Sequence, residues 1–185
     1  MSRSTPGAIS VTIVTLIVLR GTPVAHAAAA APELRPGAVE VGLAGSLTSI
    51  EGSTRSVLLL RAGSFRRAFS GLAGLEAEFG YTHDRALDGL DLEAGASWQH
   101  RAAASAVYPF AAIGGGLRQE KLGSFGQARY PVGFAMGARA LFGTRAAVRI
   151  EYRYRRVLND PVADFTEHQA LTGISLFFRN QGEER

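Results

Sequence analysis

The chain of 185 residues contains no cysteine, one lysine (Lys121), one tryptophan and two methionines. Without cysteine there can be no disulfide and no thiolate metal site, and an oxidising compartment poses no hazard. No basic run stands on a helical face, and nothing suggests a nucleic-acid footprint. The apolar run Val11–Leu19 is nine residues long and ends at Arg20. A spanning helix needs ~20 apolar residues, so an uncleaved anchor is disfavoured. Past this run, no segment carries a helical apolar stripe.

What is present at the N-terminus is the layout of a secretory signal. Met1–Ser10 holds Arg3 and no acid, the apolar run follows, and Ala25-His26-Ala27 offers small residues at the cleavage-determining positions. Residues 1–27 are read as a signal peptide, with the cut free to shift along Ala27–Ala31. Its removal takes away Arg3 and Arg20, leaving eighteen basic against sixteen acidic residues. The whole-chain pI of about 10.0 therefore overstates the basicity of the mature protein. An Ala/Pro linker, 28–36, precedes a single domain over 37–180 and a polar tail, 181–185.

Val148–Tyr154 sets the architecture. Val148, Ile150, Tyr152 and Tyr154 alternate with Arg149, Glu151 and Arg153. Strand side chains point to opposite faces with period two, so one face is apolar and aromatic and the other is charged. A strand greasy outside and ionic inside suits a closed barrel in lipid, where every backbone group must find a partner strand. The inverted arrangement, a soluble barrel with its apolar faces inward, is the structural competitor.

Eight strands are predicted, giving an all-β, up-and-down antiparallel transmembrane barrel. They cover about Ala38–Leu47, Thr54–Ala62, Gly71–Thr82, Leu87–Gln99, Ala106–Arg118, Tyr130–Phe142, Thr144–Val157 and His168–Phe178. The second, with Val57-Leu58-Leu59-Leu60, and the fifth, with Pro109, leave their facing open. Gly143-Thr144 marks a tight turn. Leu117–Arg129 and Leu158–Glu167 read as longer outer loops, and Arg61–Ser70 as a long turn at the opposite end.

Collecting the charged inward positions gives Glu40, Glu76, Glu78, Asp91, Glu93, Arg139, Arg149, Glu151 and Arg153. An eight-stranded cylinder is only wide enough for its own side chains, and unpaired buried charge is costly. These residues are therefore expected to form a lumenal salt-bridge network that leaves no open pore. General acid–base catalysis by paired carboxylates is the sharper alternative. Phe79, Tyr81, Trp98, Tyr152, Tyr154 and Phe178 fall on the other face, as interfacial girdles.

The fifth-strand YPFAAIGGG, the sixth-strand Gly/apolar alternation, VRIEYRY and the final HQALTGISLFF resemble the small outer-membrane β-barrel proteins, the OmpA-like or porin-family domain. The likeness spans Gly37–Asn180. It implies that Ala170, Thr172, Ile174, Leu176 and Phe178 act as the assembly signal read by the barrel-assembly machinery. The tail Arg179–Arg185 departs from that pattern, in which the aromatic is usually terminal. The expected partners are outer-membrane lipid, lipopolysaccharide where present, and that machinery, with no cofactor, metal or nucleic acid.

Three functions follow. The first is a non-enzymatic integral outer-membrane barrel with an envelope-structural or surface-loop role. The second is a barrel enzyme acting on lipid A or acyl chains. A deacylase pattern wants His and Ser two apart on a lipid-facing strand, but His168 is followed by Gln169 and Ala170, and His83-Asp84 reads as a polar turn. The third is a soluble secreted barrel holding a small apolar ligand.

Overall fold

Period-two alternation separates two faces on every segment, and eight such segments leave no unpaired edge only by closing on themselves. The computed structural model describes residues 33–50, 53–84, 87–102, 105–122, 125–143, 145–160 and 164–179. The expected signal peptide, most of the expected linker, the expected polar tail and the side chains of His83 and Asp84 lie outside the described residues.

The strands are β1 (Ala38–Ile50), β2 (Ser53–Ala68), β3 (Gly71–Asp84), β4 (Leu87–Gln99), β5 (Val107–Leu122), β6 (Phe125–Phe142), β7 (Ala146–Leu158) and β8 (Phe165–Arg179). Each pairs antiparallel with the next, and β8 pairs with β1 to close the barrel. Following partners round the wall from Val39 leads through Ser64, Leu75, Ala96, Ile113, Phe134, Tyr154 and His168 to Ser49. The circuit returns to β1 ten residues on, from 39 to 49. With eight strands that shear gives a tilt of roughly 43°. Each residue along a strand then climbs ~2.4 Å and each step to the next strand ~3 Å.

The ladders run further than the sequence patterning indicates, and three assignments are corrected. Arg61–Ser70 is not a long turn: β2 continues to Ala68, and Phe69-Ser70 alone make the turn into β3. Phe69 takes a left-handed φ of 51° with its ring fully exposed. Leu117–Arg129 is not a loop, because β5 and β6 pair through Leu122 and Phe125. Leu158–Glu167 shrinks to 159–164 between β7 and β8. The physical reason is common to all three: Arg61, Arg118, Glu120 and Glu167 keep the alternation going and find ion partners inside the cylinder.

The connections do not follow the expected division into short near-end turns and long far-end loops. At the far end, away from Ala38, only residues 51–52, 85–86 and 123–124 separate successive strands, and 159–164 form the longest link there. At the near end, residues 100–106 join β4 to β5, longer than any far-end link. Gly143 makes the β6–β7 turn at φ +63°, a conformation glycine adopts without a Cβ penalty.

The two ambiguous strands resolve. On β2, Leu58 and Leu60 face out while Val57, Leu59, Arg61 and Phe65 face in. On β5, Tyr108, Phe110, Arg118 and Glu120 face in, and Val107, Ile113 and Leu117 face out. Pro109 is the third residue of β5 and lies on the outer face.

Candidate functional site

The bore is built in layers. At the near end it is apolar: Leu34, Phe65, Leu72, Tyr108, Leu141 and Phe177 pack together. Leu34 tucks into this floor from the segment before β1, and its backbone N–H donates to Tyr108 Oη at 2.9 Å. Above the floor stands Arg139. Its guanidinium lies between two rings, 4.9 Å from the Phe65 centroid and 4.8 Å from Phe110. Its Nη2 donates to Glu40 Oε2 at 3.2 Å and to Glu76 Oε1 at 2.8 Å, while Nη1 donates to Gln99 Oε1. Ser175 donates to Glu40 at 2.5 Å, and Ser97 to Glu76 at 2.6 Å.

The middle layer joins opposite walls. Arg149 Nη1 lies 2.7 Å from Glu76 Oε2, and its Nε 2.6 Å from Glu151 Oε2. Arg61 contacts Glu78 at 2.5 Å and Glu151 at 3.2 Å. Arg153 reaches Glu78 at 2.6 Å, Glu93 at 3.6 Å and Glu151. Arg155 meets Glu93 at 2.9 Å. Higher still, Arg118 bridges Asp91 at 2.7 Å and Glu167. At the far rim Arg129 pairs with Glu120 and, at 2.7 Å, with Asp160, and Arg55 meets Glu120 at 3.1 Å.

All nine charged positions expected in the lumen thus lie in the bore and touch a partner of opposite sign. Sequence reasoning missed Arg61, Arg118, Glu120, Arg129, Arg155 and Glu167. Arg155 only continues the VRIEYRY alternation by one step, and Arg118 and Glu120 sit two apart as inward residues must. Their signal was present but was assigned to loops. The apolar floor was also missed, because Phe65 falls in the stretch read as a turn and Tyr108 on a strand whose facing is open, which leaves Phe177 of β8 as the one floor aromatic that the alternation turns inward.

A cavity of about 60 Å³ lies beside the middle layer. One wall is the exposed backbone around Gly95, Gly114 and Gly133, and the other carries Arg149, Arg153 and Arg155. It has room for a few waters and no more. The small residues are what let β7 arginines extend across the bore. A Cβ on Gly137, for instance, would meet the Phe110 ring at 2.9 Å.

The outer face is the reverse of a soluble protein's. Ile150 is 50% exposed while its neighbour Arg149 is 3% exposed. Phe79, Tyr81, Trp98, Tyr152 and Phe178 are all exposed. Tyr154 is half-buried, because Phe134 stacks on it at 5.4 Å and His168 meets its edge at 5.4 Å. Ala170, Thr172, Ile174, Leu176 and Phe178 line the outer face of β8. No helix among the described residues is long and apolar enough to cross a membrane. No cluster of potential metal ligands occurs among them either.

No protein-family model matches the chain, and no curated protein matches it. Solved structures do. The N-terminal β-barrel domain of Pseudomonas aeruginosa OprF aligns with a TM-score of 0.59 at 15% identity, over 77% of this chain and 98% of that one. The fold is that of the small eight-stranded outer-membrane barrels. Neisserial surface protein A aligns at 0.55 and 14% identity, over 76% and 96%. The outer-membrane enzyme PagL aligns at 0.50 and 12% identity, over 74% and 97%.

Proposed function

We propose that this chain is an integral outer-membrane barrel with a structural, non-enzymatic role in the envelope, exported by a signal peptide cleaved within residues 27–31. The observation that carries this reading is the inside-out distribution of polarity. Leu, Ile, Val and aromatic side chains cover the outside of the wall, and carboxylate–guanidinium pairs occupy the inside above the apolar floor, beside a small apolar cluster of Val57, Leu59 and Leu171. In water that exterior would be a large continuous apolar patch; in hydrocarbon it is the matched surface. The chain end before β1 and the near-end turns face the periplasm, and the two-residue links face outward.

Several features favour a closed structural barrel over an enzyme or a pore. Every carboxylate of the middle layer is engaged by at least one arginine, so none stands ready as a general base. Arginines from β7 reach acids on β3 and β4 across the bore. The floor of Phe65, Phe177 and Leu34 closes the periplasmic mouth. The outer face of β8, ending at Phe178, serves as the assembly signal. With such short outer links, any surface interaction falls to strand ends at the rim.

The test is insertion. Purified mature protein refolded into phosphatidylcholine vesicles is expected to migrate differently unboiled and boiled, and lipid A incubated with it should remain unmodified. A mature chain that stays monomeric and folded in detergent-free buffer, or that turns over lipid A, overturns the reading.

A further inference from the structure

The upper edge of the lipid-facing belt is not uniform around the barrel. Heights from the shear place Tyr81, Leu90, Leu117 and Tyr130 about 20–25 Å above Val39, on β3 to β6. All four are exposed. At the same heights on β7, β8, β1 and β2 stand Arg156, His168, Thr166, Ser49 and Ser56, also exposed and pointing outward. One half of the rim therefore continues the apolar wall where the other half offers hydroxyls, an imidazole and a guanidinium.

The polar half is organised. The His168 ring is fixed from two sides: Tyr152 Oη lies 2.6 Å from its Nδ1, and the Tyr154 ring meets it edge-on. This engages Nδ1 and leaves Nε2 as the nitrogen to meet a ligand. Ser49 is the direct cross-strand partner of His168, and Thr166 of Arg156. Arg156 Nη2 contacts Asp164 Oδ2 at 3.3 Å, with the arginine side chain 64% exposed. An exposed pair of this kind holds weakly, so a stronger anion can take the guanidinium. Below the patch, Phe134, Tyr152 and Ile150 present an apolar surface for acyl chains.

We propose that this sector binds the headgroup of a phosphorylated glycolipid of the outer leaflet, with Arg156 and His168 taking a phosphate and Thr166, Ser49 and Ser56 meeting sugar hydroxyls. The inference rests on the outer-membrane reading above. The width of the sector selects the glycolipid. Four adjacent strands ~4.8 Å apart span roughly 15 Å or more along the wall, more than one glycerophospholipid headgroup covers. Charge-assisted hydrogen bonds to the phosphate supply the affinity, and arginine is suited to hold it with two donors.

The experiment is native mass spectrometry of the mature protein released from phosphatidylcholine nanodiscs doped with equal amounts of diphosphorylated lipid A and phosphatidylglycerol. Wild type is expected to retain lipid A in preference to phosphatidylglycerol. The Arg156→Gln/His168→Gln pair should lower the retained lipid A at least tenfold. Arg66→Gln, at an exposed outward position of the opposite interface, should leave retention unchanged. Equal retention of both lipids, equal loss in Arg66→Gln, or no loss in the double variant overturns the proposal. A wild-type chain that never enters the nanodisc overturns the outer-membrane reading itself, and the unboiled mobility shift separates that outcome from a failed site.

Discussion

Arg139 on β6 and Glu40 on β1 meet across the bore at 3.2 Å, both side chains fully withdrawn from solvent. Neither charge is tolerable alone at that depth, so the pair joins two walls that share no backbone ladder. Removing one partner from a buried pair costs about 3–5 kcal/mol, because the other charge is stranded. Arg139→Met is therefore expected to destabilise the barrel by about that amount in urea titrations in lipid vesicles. Adding Glu40→Gln should recover part of the loss, since Ser175 can still donate to the amide oxygen. Simple additivity of the two substitutions would show the pair to be uncoupled.

The outer face makes the opposite demand. Ile150 sits about 8 Å above Val39, near the middle of the apolar belt. Ile150→Arg should cost about 2–4 kcal/mol in a bilayer. Ile150→Leu should be close to neutral in the same titration.

Arg149→Ala probes the middle layer. It removes contacts to Glu76 and Glu151 at once and also a guanidinium 4.1 Å from the Phe110 ring. Refolding yield in vesicles should fall, and Arg149→Lys should restore it only in part, because a point charge cannot reproduce two directed donors.

Glycine sets the distance between β6 and β7 at Gly133 and at Gly137. A Cβ on Gly133 would run into the Tyr154 carbonyl oxygen and approach Arg155 Cα at 2.9 Å. Those are backbone atoms and cannot swing aside. Gly133→Val should cost roughly 1–3 kcal/mol by overpacking, whereas the same change at Gly45, with nothing within 4 Å, should be tolerated. Chevron or equilibrium unfolding of the two variants side by side distinguishes them.

The proposed assembly signal separates cellular from intrinsic folding. Phe178→Ala trims an exposed ring at the near-end edge of the belt and touches none of the bore's ion pairs. Spontaneous refolding into vesicles should change little. The folded, heat-shifting fraction recovered from outer membranes of expressing cells should drop several-fold. Parallel losses in both settings would assign Phe178 to stability instead.

Much of this molecule could be read from alternation alone. Strands three, four, six and seven declare their faces because charged or small residues occupy every second position against apolar residues, and strand eight does so less sharply, since Leu171 and Phe177 stand among its inward residues. The reading falters where both faces are apolar. Val57 and Leu59 turn inward beside Leu58 and Leu60, and no local pattern separates them; their facing follows from the register that Arg61 needs to reach Glu78. The ends of strands were lost for a related reason. Polar residues such as Arg118, Gln119 and Glu120 look like loop until a partner strand exists to show that alternate ones point into a bore. The Tyr152–His168 contact spans sixteen residues and depends on the stagger between β7 and β8, which no single-strand pattern contains.

With the far end outward, as proposed above, the two-residue links there have a consequence for how the cell surface is encountered. A protease must draw several extended residues into its cleft, and an antibody or phage needs a protruding epitope. Only two residues separate the strands in three of the four far-end hairpins, too few to supply either. Only the stretch between Leu158 and Phe165 is longer, and Asn159 anchors its first turn by donating from Nδ2 to the Ala128 carbonyl at 2.9 Å. Enzymatic shaving of intact cells should therefore leave this barrel whole under conditions that strip neighbours with long exposed arms.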